Sequence, residues 1–262
     1  MSEAAPLLQV SDLHHWFGGL HVINGVSFTC HRGTIKAIIG PNGAGKSTLF
    51  NLVAGSLAPV SGSILLDGSA IAGLAPHRVS ARGLARTFQA SRLFPGMTVV
   101  ENVMAGRHTR GRSGMLAGML SLPRARREER AARAAAMETL DRFGLAPLAA
   151  SDARSLPFGR QRLVEIARAL AAGPRLLLLD EPACGLNLAE TERLGDLIQR
   201  IRAEGVTVLV VEHDMSLVMG ISDEVLVLNY GTPVAEGTPR AVQANPEVVA
   251  IYLGGDRGGT GA

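Results

Sequence analysis

Short apolar runs alternate with stretches of helical periodicity through the second half of the chain. Leu176–Leu179, Val206–Val211 and Val225–Leu228 have strand length and apolar character along their whole extent, the pattern of strands buried on both faces. Between the first two, Leu194, Leu197, Ile198 and Ile201 recur at the spacing of one helix face. Thr34–Ile39 is another run of the buried kind, and it ends at Gly40 ahead of a glycine-rich loop and a helix-like segment. Strands alternating with helices predict an α/β domain with a parallel sheet. Two other regions break this rhythm. Leu7–Arg32 mixes β-like runs, Leu8–Val10 and Val26–Thr29, with turn residues Gly18, Gly19 and Gly25, which predicts an antiparallel flap. From Ala90 to Leu156 there is little β signal. Thr98–Gly106 predicts a helix with Val99, Val100, Val103 and Met104 on its apolar side, and Arg124–Phe143 predicts another with Ala136, Met137, Leu140 and Phe143 as its stripe. A helical subdomain inserted in the α/β domain follows, residues 90–160, with the α/β core at 1–89 and 161–262.

Composition narrows the class. The chain has 262 residues, 47% of them apolar and 19% charged, which excludes a disordered chain and suits one large domain or two small ones. A net charge of +3 is too small to indicate a nucleic-acid binder. Two cysteines, Cys30 and Cys184, make no disulfide framework and suit a reducing compartment. Met1–Leu8 lacks a basic stretch followed by an apolar one, so no secretory signal is expected. The longest apolar runs fall far short of the ~20 residues that span a bilayer, so a soluble or peripheral protein is expected. Charge is uneven. Arg107–Arg133 holds eight arginines and two glutamates, which fits a solvated face, an anionic partner or anionic lipid headgroups.

Only two of the basic residues are lysines, Lys36 and Lys46, and the second lies in the run Gly40-Pro41-Asn42-Gly43-Ala44-Gly45-Lys46-Ser47-Thr48. Its first eight residues fit the phosphate-binding pattern GxxxxGK[ST], with the strand before and helix after that the pattern requires. Glycines let backbone N–H groups wrap the phosphates, and the following helix adds its positive N-terminus. Lys46 reaches the β- and γ-phosphates, and the Ser47 hydroxyl ligates Mg²⁺. Asp180 and Glu181 follow the buried run Leu176–Leu179, at the strand end where open α/β sheets bind ligands. Asp180 is expected to hold Mg²⁺, and Glu181 to orient and polarise the attacking water; a surface carboxylate is the plainer reading of Glu181. These residues predict a nucleotide hydrolase.

Further motifs resemble those of the ATP-binding-cassette (ABC) ATPases. Leu156-Pro157-Phe158-Gly159-Arg160-Gln161, opening a helix over Gln161–Ala172, resembles the family's signature sequence. Gln89 in Arg86-Thr87-Phe88-Gln89 resembles the Q-loop glutamine, which contributes to metal binding and couples the γ-phosphate to the helical subdomain. Cys184-Gly185-Leu186-Asn187 resembles the D-loop, His213 in Glu212-His213-Asp214 the switch histidine, and Phe17 the aromatic that stacks on adenine. A lone Gln or His is more often structural; six matches in order reverse that weighting. Within the family, Gly18-Gly19-Leu20, the long insert before the signature and the stretches Leu228–Pro233 and Tyr252–Gly254 resemble the LivG-type ATPases of branched-chain amino-acid importers.

The resemblance implies a P-loop ATPase that binds ATP and Mg²⁺. It also implies a head-to-tail pair of ATPase subunits with nucleotide between the P-loop of one and the signature of the other. The pair would drive two membrane permease subunits from the cytoplasmic face of the inner membrane, served indirectly by a periplasmic solute-binding protein. Leu156, Phe158, Gly159, Arg160 and Gln161 would then serve the companion's ATP, with Gly159 and the helix N-terminus facing its γ-phosphate. The membrane subunit would dock near Arg92, Leu93, Phe94 and Met97. Two departures stand out. Pro157 replaces the signature serine and offers neither hydroxyl nor N–H, which suggests a heterodimer with one slower composite site. Asn187 replaces the commoner D-loop aspartate. The competing reading is a soluble ABC ATPase acting on nucleic acid or ribosomes. The Arg107–Arg133 cluster alone favours it, without the interleaved aromatics that stack on bases, so no nucleic-acid partner is expected.

Overall fold

A computed structural model describes residues 5–87, 93–107 and 123–254. Ten strands run in chain order: β1 (Leu8–Phe17), β2 (Leu20–Cys30), β3 (Ile35–Ile39), β4 (Ser61–Leu66), β5 (Ser69–Ala70), β6 (Leu84–Arg86), β7 (Leu176–Asp180), β8 (Thr207–Val211), β9 (Glu224–Asn229) and β10 (Thr232–Gly237). They form two sheets. The order β2-β1-β4-β5 makes the antiparallel flap, and β10-β9-β3-β8-β7-β6 makes the core sheet. The core sheet is parallel from β9 to β6, with β10 antiparallel at its edge.

Every residue of β3, β7 and β8 is buried, which is why these strands read as continuous apolar runs rather than alternating ones. Side-chain alternation still sorts them between two faces. Ile35, Ala37, Ile39, Leu177, Leu179, Val208 and Val210 join an apolar cluster with the helices on one face. Ile38, Leu176, Leu178, Leu209 and Val211 join a second cluster with the flap. Lys36, in the middle of this apolar run, is buried because its ammonium is held by Glu224 at 2.8 Å and by Glu236. It is the structural one of the two lysines.

The helices are α1 (Lys46–Val53), α2 (Pro76–Ala81), α3 (Val99–Gly106), α4 (Pro123–Arg142), α5 (Phe158–Ala171), α6 (Leu188–Ala203), α7 (Met215–Ile221), α8 (Pro239–Gln243) and α9 (Pro246–Gly254). The two helices expected between Ala90 and Leu156 are α3 and α4. Thr98 caps α3 in a reciprocal box with Glu101, which satisfies two otherwise orphaned N–H groups. Val99, Val100, Val103, Ala136 and Leu140 are buried as expected. The helix expected from Gln161 starts three residues earlier, at Phe158, with Pro157 at its N-cap. Proline belongs at a helix start, where its missing N–H breaks no helical bond, so the boundary falls at Pro157 and places Gly159 and Arg160 in the first turn. Most of the arginine-rich segment, residues 108–122, lies outside the described residues. Among the described residues no helix is long and apolar enough to cross a membrane.

Both cysteines are free. Cys30, at the end of β2, is buried in the second cluster, and burial pushes its thiol up to about 12; Cys184 is exposed. At neutral pH a maleimide reagent will therefore add to one thiol per folded chain, and Cys184→Ser will abolish the addition. Intact-mass measurement checks both.

Candidate functional site

The glycine loop leaves β3 at the middle of the core sheet, between the C-terminal ends of β8 and β9. Gly40 has φ 151, and a Cβ there would lie 2.1 Å from the Leu228 carbonyl oxygen. Gly45 has φ 97 and caps α1; a Cβ there would lie 2.7 Å from the Val22 oxygen. Glycine is required at both positions by conformation and by packing. The loop is braced from outside by the β9–β10 turn, where Gly231 N–H donates to Ala44 O at 3.0 Å and Asn24 N–H donates to Gly231 O at 2.9 Å. Asn42, Gly43 and Ser47 are exposed, Pro41 and Thr48 half-buried, and Ala44 buried, so the loop is anchored beneath and open above. The Lys46 ammonium donates to the carbonyls of Gly40 and Pro41 at 2.6 and 2.9 Å. Burial draws it below the usual lysine range, while the nearby Glu181 charge opposes that shift.

Asp180 ends β7 as expected, with its side chain almost wholly buried. One oxygen, Oδ2, takes a 2.7 Å charge-assisted bond from Arg86. Arg86 also donates to Asn51 Oδ1 at 2.6 Å and lies 5.8 Å over the Phe50 ring. The guanidinium thus ties the helix after the phosphate loop, the strand leading to Gln89 and the carboxylate strand together. The other oxygen, Asp180 Oδ1, is buried without a hydrogen-bond partner among the described residues. An orphaned carboxylate oxygen beside a phosphate loop fits a divalent cation or one of its waters. Glu181, next in the chain, has φ 45, a conformation few non-glycine residues adopt and one that clusters at functional sites. Its N–H is fixed to Val211 O at 2.9 Å.

His213 follows β8, with its side chain 62% exposed. The residue before it, Glu212, is fully buried. Its Oε1 accepts Ala183 N–H at 2.7 Å, and its Oε2 accepts the N–H groups of His213 and Asp214 at 3.0 and 3.4 Å. Burial raises the Glu212 carboxyl above its ordinary range, and the three backbone donors pull it the other way.

Phe17 ends β1 with 49% of its surface exposed and meets His15 edge-on at 4.8 Å. The neighbouring Trp16 points to the other face and stacks on His21 at 4.0 Å. The signature residues divide by role. Leu156 is buried, while Phe158 is exposed and Arg160 lies in a cleft that Glu190 and Arg193 also line. Gly159 packs so tightly that a Cβ would meet Glu190 Oε1 at 2.9 Å. Gln161 turns back, donating to the carbonyls of Arg154 and Leu156 at 3.1 and 2.8 Å, so its amide locks the turn into α5. Asn187 caps α6 in a reciprocal box with Glu190, a task that the short amide side chain performs as aspartate would. Gln89 and Arg92 lie outside the described residues. Leu93 is buried, whereas Phe94 and Met97 are exposed. Phe94, Ala105, Gly106, Arg168 and Pro76 line a groove of about 430 Å³. Sequence reasoning did not single out Arg86, Glu212 or Asn51. The available signal for Glu212 was a charged residue directly after an unbroken apolar run; Arg86, at the half-buried end of β6, carried none.

Comparison with known proteins agrees with this geometry. Residues 23–184 match the ABC transporter family, and residues 232–257 match a family described as branched-chain amino acid ATP-binding cassette transporter. The chain is 46% identical over 250 residues to the high-affinity branched-chain amino acid transport ATP-binding protein BraF of Pseudomonas aeruginosa, covering 95% of this chain and 98% of that one. It is 44% identical to LivG of Escherichia coli over the same shares. Among solved structures, the ADP conformation of an ATP-binding cassette of an ABC transporter superposes with TM-score 0.84 at 30% identity, covering 96% of this chain and all of that one. A dimeric post-hydrolysis cassette bound to ADP and Pi superposes at 0.75 with 25% identity over 89% of this chain and 99% of that one.

Replacing Arg86 by methionine would strand the Asp180 charge. Loss of one partner of a buried pair costs about 3–5 kcal/mol, and Arg86→Met/Asp180→Asn would recover most of it. Urea unfolding at neutral pH measures both changes.

Proposed function

The chain belongs to the ABC transporter ATP-binding family, and we propose that it binds and hydrolyses ATP to energise uptake of small solutes, branched-chain amino acids first among them. The observation that carries this reading is the meeting of the Gly40–Thr48 loop, Asp180, Glu181 and His213 at one end of the core sheet. The identity to the branched-chain transport proteins over nearly the full chain supports the solute class. A soluble ABC ATPase acting on nucleic acid is the weaker reading, because nothing in the described site offers base-stacking aromatics beyond Phe17.

The roles follow from placement. The N–H groups of residues 40–48 and the N-terminus of α1 hold the phosphate chain. Lys46 exchanges its two loop carbonyls for β- and γ-phosphate oxygens, and Phe17 stacks on adenine. Ser47, Asp180 and Gln89 would hold Mg²⁺, which on binding neutralises phosphate charge. Glu181 orients a water against the γ-phosphorus and takes its proton as the bond to the ADP oxygen breaks. His213 holds the γ-phosphate oxygens, and Gln89 reports their presence to the helical subdomain. Leu156, Phe158, Gly159, Arg160 and Gln161 shape the start of α5 toward the companion's nucleotide, with Gly159 and the positive helix end nearest the phosphate.

The companion is a second ABC ATPase. Pro157 leaves the signature without its hydroxyl and N–H, so a heterodimer with one slower site is the proposed assembly. Two permease subunits, fed by a periplasmic solute-binding protein, complete the importer, with this subunit peripheral on the cytoplasmic membrane face. Exposed Phe94 and Met97 beside the groove suit docking of a membrane-subunit helix.

Glu181→Gln will keep ATP binding, lower turnover by about 10²–10⁴-fold and trap a nucleotide-bound dimer. ATPase assays and size-exclusion chromatography with ATP and Mg²⁺ check this; a parental hydrolysis rate defeats the assignment. In the heterodimer, the same substitution placed in either subunit will lower turnover unequally. Equal losses defeat the asymmetry. Lys46→Ala will weaken ATP binding itself, measured by equilibrium titration.

A further inference from the structure

Glu212 is a fully buried carboxylate that none of the roles above employs. It sits between the two segments that carry those roles. One oxygen holds Ala183, two residues after Glu181, and the other holds the backbone of His213 and Asp214. Its hydrogen-bond partners among the described residues are all backbone N–H groups; His213 Nδ1, at 3.8 Å, is beyond hydrogen-bonding reach. A pure acceptor is needed here. Three donors converge on two oxygens, and no neutral side chain of this shape presents acceptors at both ends. The anchored segments also carry bonds of their own. Glu181 N–H reaches Val211 O, and the Asp214 carboxylate caps α7 through Leu217 N–H at 3.1 Å. Nothing but Glu212 joins Ala183 to the histidine loop in the hydrogen bonding of the described residues.

We propose that Glu212 is a positioning residue that staples the segment after Glu181 to the loop of His213, so that the water-orienting carboxylate and the γ-phosphate histidine move as one unit. The proposal rests on the roles assigned to Glu181 and His213 above. Each of those residues must be held to a fraction of an ångström for in-line attack, and a misplacement of about 1 Å costs on the order of a hundredfold in rate. Glu181 is half-buried in a left-handed backbone conformation, and His213 is exposed. A rigid carboxylate bridge beneath them supplies the fixed separation. Because the bridge also ends one residue before Cys184, it carries the position of the Cys184–Asn187 segment into the same unit.

The test compares Glu212→Gln with His213→Ala, Glu181→Gln and the Glu212→Gln/His213→Ala pair in the assembled transporter with ATP and Mg²⁺. A glutamine turns its amide NH₂ toward one arm of the staple and so releases either Ala183 or the histidine loop while keeping the shape. The expected result is a fall in kcat of about tenfold to a hundredfold with KM for ATP changed by less than about twofold. The paired variant will be no slower than His213→Ala alone, the mark of residues acting as one unit. In the full chain, the amides of Ala183, His213 and Asp214 will exchange faster with solvent in Glu212→Gln, while those of Leu178 and Leu209 keep parental protection. A parental kcat, a KM that rises in step with the loss in kcat, losses that multiply fully in the pair, or loss of protection at Leu178 and Leu209 each overturn the staple. If Glu181→Gln and His213→Ala themselves turn over at the parental rate, the site assignment falls instead. Normal losses in those two with a parental Glu212→Gln overturn the staple alone.

Discussion

A phosphate chain can be gripped by backbone N–H groups only where the backbone itself comes close, and side chains at the turning points forbid that approach. In this protein the restriction is enforced from below as well as above. The places where a Cβ of Gly40 and of Gly45 would stand are taken by the carbonyl oxygens of Leu228 and Val22. The loop therefore rests on the end of β9 and the start of β2 at backbone contact distance. The rest of the architecture supplies those supports. The core sheet presents β3 between β8 and β9, the β9–β10 turn presses Gly231 against Ala44, and the flap delivers Val22 and Asn24 from the other side. A flap that looks like an accessory is thus part of the wall that shapes the phosphate loop.

The phosphate loop and the start of α5 are built on different physical principles. The phosphate loop end is built from backbone and a few buried charges on rigid strands. The signature end is built from a helix start, where Pro157, Gln161 and the tight packing of Gly159 on Glu190 fix the direction of α5. Phe158 and Gly185 touch, their contact leaving only 3.0 Å for a glycine Cβ, so the signature and the segment after Glu181 are packed together within one subunit.

The parts of this molecule governed by local rules were legible in the sequence. Fully buried strands announce themselves as unbroken apolar runs, and the loop Gly40–Ser47 announces itself because its glycines are demanded by close backbone packing. The apolar stripes of α3, α4 and α6 were legible for the same reason. The start of α5 was placed three residues late, because glycine and proline both look like breakers in sequence while proline at a cap is a helix starter. Arg86 and Glu212 were not singled out. Glu212 showed only as a charge directly after an apolar run, and the partners of the two residues, Asp180 and Ala183, are 94 and 29 residues away. Asn187 was noted only as a departure from aspartate; its task in capping α6 became visible only in the structure.

The buried charges follow one logic once their partners are compared. Lys36 is answered by Glu224 and Glu236, and Arg162 is paired with Glu165. Buried charges that hold the chemistry are answered differently. Asp180 has one oxygen bound by Arg86 and one without a hydrogen-bond partner among the described residues, and Glu212 is answered by backbone alone. A buried carboxylate satisfied by an arginine on both oxygens would be spent, since desolvation makes a second partner hard to gain once the first set is complete. Arg86 engages only Oδ2, with its other arm committed to Asn51. The second arm is what prevents the bidentate grip that arginine otherwise favours. By occupying one arm of Arg86, Asn51 leaves Asp180 Oδ1 without a hydrogen bond from that guanidinium.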